Sequence, residues 1–300
     1  MTEQEFLADR FQEHRDHLRA VAYRMLGSLT EADDAVQEAW LRLARTESAD
    51  IANLGGWLTT VVGRVCLDML RARKIRHEEP LEIDRLPDPI IAADRGSDPE
   101  QQALLADSVG MALLVVLESL RPAERLAFVL HDMFALPYDQ IAPIIDRTPQ
   151  TAKKLASHAR RQVQSRSARP DPDLPRQRRI VDAFLAAARD GDFDALVEIL
   201  DPGVVLRADA GLPGGTRVLH GVTDVAGLLD TFHHMATTCT PYPALVNGTA
   251  GLVSTRDGAL FSIMSFTVAD ARIAAIDILA DPHRLNRIDP QAIIDRVDPV

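Results

Sequence analysis

The spacing of apolar residues changes period along this chain, and that change constrains the fold more than any other feature. Up to about residue 166 they recur every three or four positions: Leu18, Val21, Ala22 and Met25, then Val36, Ala39, Trp40 and Leu43, then Trp57, Val61 and Val65. That stripe predicts amphipathic helices. RRIVDAFLAAARDGDFDALVEIL follows as two helices broken at Asp190-Gly191. Past residue 200 the period falls to two, in GVVLRAD, TRVLHG, PALVNGTAGLVST, ALFSIMSFTVAD and RIAAIDIL. These runs, separated by Gly, Asn and Asp, predict strands. The chain therefore reads as all-α first and α+β afterwards, with no solenoid repeat.

Two proline-rich stretches mark boundaries. EEPLEIDRLPDPIIAADRGSDPEQ reads as an acidic linker, and SARPDPDLPRQ as a second one near residue 170. The 300 residues are 46% hydrophobic and 26% charged, a globular composition that fits two or three domains. Cys66 and Cys239 sit among apolar neighbours, far apart, at no metal-ligand spacing. They fit buried thiols in a reducing cytoplasm. No metal and no cofactor is expected. The first twenty residues are charged throughout, so no signal peptide is expected. The longest apolar run, MALLVVL, is too short to span a bilayer. A soluble, cytoplasmic protein without a membrane partner is the expectation.

Charge is placed unevenly. The formal net charge is −11, yet Arg147 to Arg169 holds seven Lys or Arg and no Asp or Glu. A second basic cluster comprises Arg64, Arg71, Arg73, Lys74 and Arg76 around the single acid Asp68. Neither half of the chain is basic overall, which counts against an indiscriminate nucleic-acid binder. The segment YDQIAPIIDRTPQTAKKLASHARRQV has a helix-turn-helix pattern. In its second helix Ala152, Leu155, Ala159 and Val163 form an apolar face. Gln150, Thr151 and Lys153 are placed to reach base edges in a major groove, beside Lys154 and Ser157, and Arg160 and Arg161 to touch phosphate. The bland alternative is a solvated helix end. Pro143 deletes a backbone bond in the preceding helix. Asp146 stands where a turn glycine is usual and suits the left-handed region.

The order of segments resembles the extracytoplasmic-function (ECF) family of bacterial sigma factors, over roughly residues 8 to 166. DDAVQEAWLRL is similar to the family's helix that docks on core RNA polymerase, with Thr30 as a candidate N-cap and Asp33 and Asp34 in the first turn. WLTTVVGRVCLDMLRARKIR is similar to the next family helix. LESLRPAERLAFVLHDMFALPYDQIAPIID and TAKKLASHARRQV resemble the sigma-4 domain and its recognition helix, with His158 in place of a usual Arg. The remainder, opening with AFLAAARDGDFDALVEILDPGVVLRAD, resembles a SnoaL-like cone domain, which one group of this family carries as a tail. Three motifs of that group are altered here. WLPEP reads RLPDP with Arg85 for Trp, DGGGK is stretched into DAGLPGGTR (Asp209 to Arg217), and NPDKL reads DPHRL (Asp281 to Leu285).

The resemblance implies a sigma-2 bundle over 1–80, an acidic linker over 81–105 and a sigma-4 helix-turn-helix over 106–168. A linker over 169–177 and an α+β SnoaL-like domain over 178–300 complete it. The implied partners are core RNA polymerase, through Asp33, Asp34, Gln37 and Glu38, and promoter DNA. The −35 element would be read as duplex by the second helix of the helix-turn-helix. The melted −10 strand would be captured by the loop Arg45 to Gly56 and the helix starting at Trp57. The tail would contact the sigma domains within the molecule. Other readings of the tail stay open: a small-molecule pocket with a sensing role, or an acid–base enzyme using Asp209, His220, Asp224, His233 and His234. No constellation of catalytic roles is visible, so the chain is expected not to be an enzyme. A regulator that binds DNA without polymerase is the remaining alternative.

Overall fold

The structure is a computed structural model that describes residues 3–46, 51, 53–76, 85–93, 110–166, 170–212, 215–288, 294–295 and 299. It divides into two compact units: Met1–Leu81 with Val116–Arg166, and Glu82–Val115 with Ser167–Val300. Residues 81–84 and 94–105 of the expected acidic linker lie outside the described residues, as do 47–50 and 52 of the expected −10 loop.

The first unit is helical. It contains α1 (Glu3–Leu26), α2 (Leu29–Leu43) and α3 (Leu54–Arg76). The second unit contributes β1 (Ile91–Ala93), and the division between units falls within α4 (Met111–Glu118). The first unit resumes with α5 (Pro122–Phe128), a π-helical turn (Val129–Met133), α6 (Tyr138–Ile141) and α7 (Pro149–Arg166). Leu18, Met25 and Leu26 of α1, Leu43 of α2 and Leu58 and Leu67 of α3 are buried together with Leu126 of α5. These are the apolar stripes that the helical period marks. Gly27 takes φ +65 and lets the chain turn from α1 into α2. The cap of α2 is Ser28 rather than Thr30, so Glu31 occupies the first turn and Asp33 and Asp34 lie beyond it. The helix begins earlier than expected because Leu29 already follows an extended cap residue.

The helix-turn-helix is tight. α6 has four residues and ends before Pro143, as a residue lacking its N–H requires. Asp146 takes φ 54, the left-handed turn position. In α7 the face turned inward carries Ala152, Ala156 and Ala159, all fully buried. Small residues there let α7 lie close against α5.

The second unit is built on a seven-stranded sheet, ordered β1-β4-β5-β6-β7-β2-β3. Its elements are α8 (Leu174–Asp190), α9 (Phe193–Ile199), β2 (Leu200–Asp209), β3 (Arg217–His220), α10 (Val222–Ala226) and α11 (Leu229–Thr238). β4 (Thr240–Val246), β5 (Thr249–Arg256), β6 (Ala259–Ala269), β7 (Arg272–Leu279) and α12 (Pro282–Leu285) complete it. β2 and β7 run parallel, and the other neighbours are antiparallel. Asn247 and Gly248, with φ 50 and 78, close the β4–β5 hairpin. The sheet is buried on both faces. Met264 and Phe266 point with Phe184, Leu196 and Phe232 into one core, whereas Ile263 joins Val246, Val253, Leu279 and Leu285 in another.

Two elements depart from the sequence reading: α8 begins at Leu174, capped by Asp173, inside the linker expected over 169–177, and a strand forms inside the expected acidic linker. Ile91–Ala93, inside the expected linker, is an edge strand antiparallel to β4, with Ile91 opposite Val246 and Ala93 opposite Ala244. Leu86 packs with Met111 and Val115 in a small apolar cluster of its own. Part of the expected linker is thus a built-in piece of the α+β unit. Among the described residues no helix is long and apolar enough to cross a membrane.

Candidate nucleic-acid interface and linker grip

α7 presents Gln150, Lys153, Lys154 and Arg161 to solvent, with Thr151, Ser157 and Arg160 half-buried. The helix has no acidic residue. Thr148 begins its first turn, its Oγ1 accepting from the Thr151 N–H at 3.3 Å and lying 3.0 Å from the Thr151 hydroxyl. The acids that approach this helix come from its own unit. Arg160 donates to Asp132 at 2.7 Å, and that bond holds the guanidinium above its ordinary pKa. His158 lies 3.1 Å from Glu124. Arg160 is therefore already paired, whereas Lys153, Lys154 and Arg161 are exposed on the outer face.

The second basic cluster lies on α3, and its members differ. Arg64 is exposed and donates to the Pro143 carbonyl at 3.2 Å. Arg71 lies 3.5 Å from Asp68. Arg73 donates to the Leu26 carbonyl at 3.2 Å and pairs with Glu31, so it holds α3 to the start of α2. That structural duty was not legible in the sequence. The side chains of Lys74 and Arg76 lie outside the described residues. Trp57, expected in the core, is half-buried. At the start of α3, Asn53 Oδ1 accepts from Gly56 N at 3.0 Å, and Thr59 Oγ1 donates to the Gly55 carbonyl at 2.8 Å.

On α2 the groups expected to meet polymerase are clustered. Asp33, Asp34 and Gln37 are exposed and Glu38 is half-buried. Asp33 accepts from Arg19 at 2.7 Å and Glu38 from Arg42 at 2.9 Å. Such exposed pairs exchange readily for another cation. Leu41 stands exposed on the same helix.

The three altered motifs of the tail meet at one side chain. Arg284, in DPHRL, is 7% exposed. It donates to Asp209 Oδ2 at 2.6 Å, to Asp88 Oδ1 at 2.5 Å and to the Leu86 carbonyl at 2.8 Å. Asp88 and Leu86 belong to RLPDP, and Asp209 opens DAGLPGGTR. Arg85 also donates to Asp88, at 3.1 Å. Gly211, at φ +68, lies so close to Asp281 that an added Cβ would come within 2.7 Å of its carboxyl carbon. Asp281 in turn caps α12 through His283 N at 2.8 Å. A planar guanidinium satisfied by two carboxylates and a carbonyl is a strong, directional clamp. Asn247 adds a reciprocal pair with Ile90, donating from N to O at 2.8 Å and accepting from N to Oδ1 at 3.1 Å.

Beneath the held segment, Pro87 and Pro89 cover a void of about 10 Å³ that reaches Ser265 and Asp277. That is room for about one water. Arg207 donates to Asp277 Oδ1 at 2.9 Å, whereas Asp277 Oδ2 and Ser265 Oγ have no hydrogen-bond partner. Burial pushes the Asp277 carboxyl up, against the opposing pull of Arg207. The residues considered for acid–base chemistry are dispersed in their contacts: Asp209 holds Arg284, and His233 lies 3.2 Å from the Ala188 carbonyl. Among the described residues no three His, Cys, Asp or Glu gather as a metal site. Cys66 is fully buried, which pushes its thiol up to about 12.

Comparison with known proteins places these features in context. Residues 10–75 match the family model for sigma-70 region 2, and 110–163 that for sigma-70, region 4. The chain is 35% identical over 290 residues to a probable ECF RNA polymerase sigma factor, SigI, of Mycobacterium tuberculosis, covering 95% of this chain and 97% of the relative. It is 36% identical over 289 residues to the ECF RNA polymerase sigma factor SigJ of the same organism, covering 91% of each. The crystal structure of Mycobacterium tuberculosis SigJ superposes with a TM-score of 0.71 at 32% identity, over 95% of this chain and 98% of that one.

Proposed function

We propose a division of labour within a chain that belongs to the extracytoplasmic-function (ECF) family of RNA polymerase sigma factors. As a sigma factor it binds core RNA polymerase and promoter DNA. The finer assignment is ours. α2 meets polymerase through Asp33, Asp34, Gln37 and Glu38. α7 enters the major groove of the −35 element, with Gln150, Thr151 and Lys153 toward base edges and Lys154, Ser157, Arg160 and Arg161 along the backbone. The start of α3 takes an extruded base of the melted −10 strand, and Arg64, Arg71, Arg73, Lys74 and Arg76 follow its phosphates.

The SnoaL-like domain, in this reading, is a regulator in cis and not an enzyme. The observation that carries it is the grip of Arg284 on Asp88 and Leu86. Those residues lie between the two sigma regions in sequence, so whatever holds them acts on the tether that joins the promoter-reading parts. Run-off transcription with core RNA polymerase tests this. The full chain is expected to direct specific initiation, and Arg284→Ala to change its yield several-fold without changing the start site. Equal yields from both would remove the basis for control through this grip. Tight duplex binding by the chain alone, with no need of polymerase, would favour the DNA-binding regulator instead.

A further inference from the structure

The stretch between α5 and α6 has an unusual backbone that neither polymerase docking nor −35 reading uses. Val129–Met133 is a π-helical turn, a form rare in proteins and frequent at functional positions. Two residues later Ala135 takes φ 55, a conformation disfavoured for any residue with a Cβ. The local contacts hold it there. Ala135 N donates to His131 O at 3.1 Å and Leu136 N to Leu130 O at 2.9 Å. The His131 ring lies 2.9 Å from the Leu136 carbonyl and stacks on Tyr138 at 3.9 Å.

This turn delivers Phe134 to α1. Its ring meets His17 edge-on at 5.0 Å, and the Arg24 guanidinium lies 4.7 Å from its centroid. His17 in turn lies 3.4 Å from the Thr59 hydroxyl on α3. Between the two sides is a pocket of about 340 Å³. Asn53, Gly56 and Thr59 line one wall, and Leu136, Pro137 and Gln140 the other. The first wall is the start of α3, where the proposed function puts the extruded −10 base. The second wall belongs to region 4.

The same seam is closed elsewhere. Arg125, 1% exposed, donates to the Arg24 carbonyl at 3.1 Å and to Glu118 at 2.9 Å. Arg64, assigned to −10 phosphate, is spent on the Pro143 carbonyl. A Cβ on Gly63 would stand 3.5 to 3.6 Å from Ile144, Leu126 and Leu130. On a promoter these groups must separate. The −10 and −35 elements lie about 25 base pairs apart, roughly 85 Å at 3.4 Å per step. Arg64 cannot reach one element while touching the residue six places before the helix that reads the other.

We infer that the turn Phe134–Gln140 of region 4 covers the −10 base pocket of region 2 in cis, so that this turn and the promoter strand compete for the start of α3. The inference rests on the −10 assignment made above. Phe134 is the anchor of the cover, and Gly63 is a point where the two halves already leave only contact distance for a Cβ, so that a branched side chain has to push them apart.

The test uses the full chain carrying donor and acceptor dyes at Arg15→Cys and Gln164→Cys, both exposed positions, the native thiols being buried. Wild type is expected to show high energy transfer. Phe134→Ala is expected to shift the closed-to-open ratio roughly three- to ten-fold toward open, the worth of an aromatic pair. Gly63→Leu should open the same seam from its other end, and Phe134→Tyr should stay closed. With core polymerase, the two opening variants should bind the single-stranded −10 non-template oligonucleotide of a promoter used by wild type several-fold tighter. Unchanged transfer in both opening variants, with wild-type circular dichroism, overturns the cover. Opening without any gain in oligonucleotide binding overturns the competition. Absence of run-off product from wild type itself would sink the sigma-factor assignment, and this inference with it.

Discussion

Arg284 and Asp88 lie 196 residues apart in sequence and 2.5 Å apart in space. Arg284 and Asp209 are buried and Asp88 is half-buried beside them, so each member is held by the others' presence. Removing one partner leaves an uncompensated charge, which costs more than the pair contributes. Arg284→Ala is expected to destabilise the α+β unit by about 3 kcal/mol. Thermal unfolding measures the loss, and limited proteolysis should show faster cutting within residues 85–93. Arg284→Lys keeps the charge but not the fork, and should fall between the two.

The second hold on the linker is Asn247, which both occupies φ 50 and bonds Ile90. Asn247→Gly keeps the turn and loses the side-chain bond, whereas Asn247→Ala loses the bond and adds strain. The expected order of stability is wild type, then Gly, then Ala, with Ala down by about 2 kcal/mol. Hydrogen exchange at the Ile90 amide should rise in both variants. Equal exchange in all three would show that the backbone bond from Asn247 N holds the strand by itself.

Asp277 makes a prediction about pH. Burial raises its folded-state pKa, so the folded chain binds this proton more tightly than the unfolded one. The resulting stability is fully present below the unfolded carboxyl value of about 3.9 and is lost as pH rises through the raised folded value. Measured from pH 8 downward, the melting temperature of wild type relative to Asp277→Asn should improve as the solution becomes more acid. A difference that stays flat, or moves the other way, would mean Arg207 outweighs burial.

The outer face of α7 makes a prediction about salt. Arg161→Ala should weaken promoter binding by the polymerase complex about evenly across −35 sequences. The slope of log affinity against log salt should drop by about one. Gln150→Ala should do the reverse, changing which −35 sequences are preferred with little change in slope. Filter binding or fluorescence anisotropy over a range of salt separates the two.

Much of this architecture was legible because local pattern and global packing agree. The stripes Leu18–Met25 and Val36–Leu43 are buried as their period requires, and the strands past residue 200 fall where alternation places them. Pro143 and Asp146 behave as their backbone chemistry dictates. Ile91–Ala93 was missed because three residues carry no usable alternation, and its strand character comes from the β4 edge it joins. The roles of Arg64, Arg73 and Arg160 were half legible. Composition reveals a cation, but its partner (Pro143, Leu26 with Glu31, and Asp132) is set by tertiary packing. The π-helical turn has no sequence signature at all. The meeting of Asp88, Asp209 and Arg284 brings together three distant motifs, and no local rule brings them into contact.

A residue paired into a sheet cannot also serve as slack. Residues 85–93 are held by Arg284, Asn247 and the β4 edge, and nine extended residues span roughly 30 Å. That length equals about nine base-pair steps of duplex at 3.4 Å each. In the proposed reading, docking β1 fixes these residues to the tail and takes them out of the tether between the two promoter-reading regions. On that reading, the range of promoter spacings the molecule tolerates would follow from whether the tail keeps its grip.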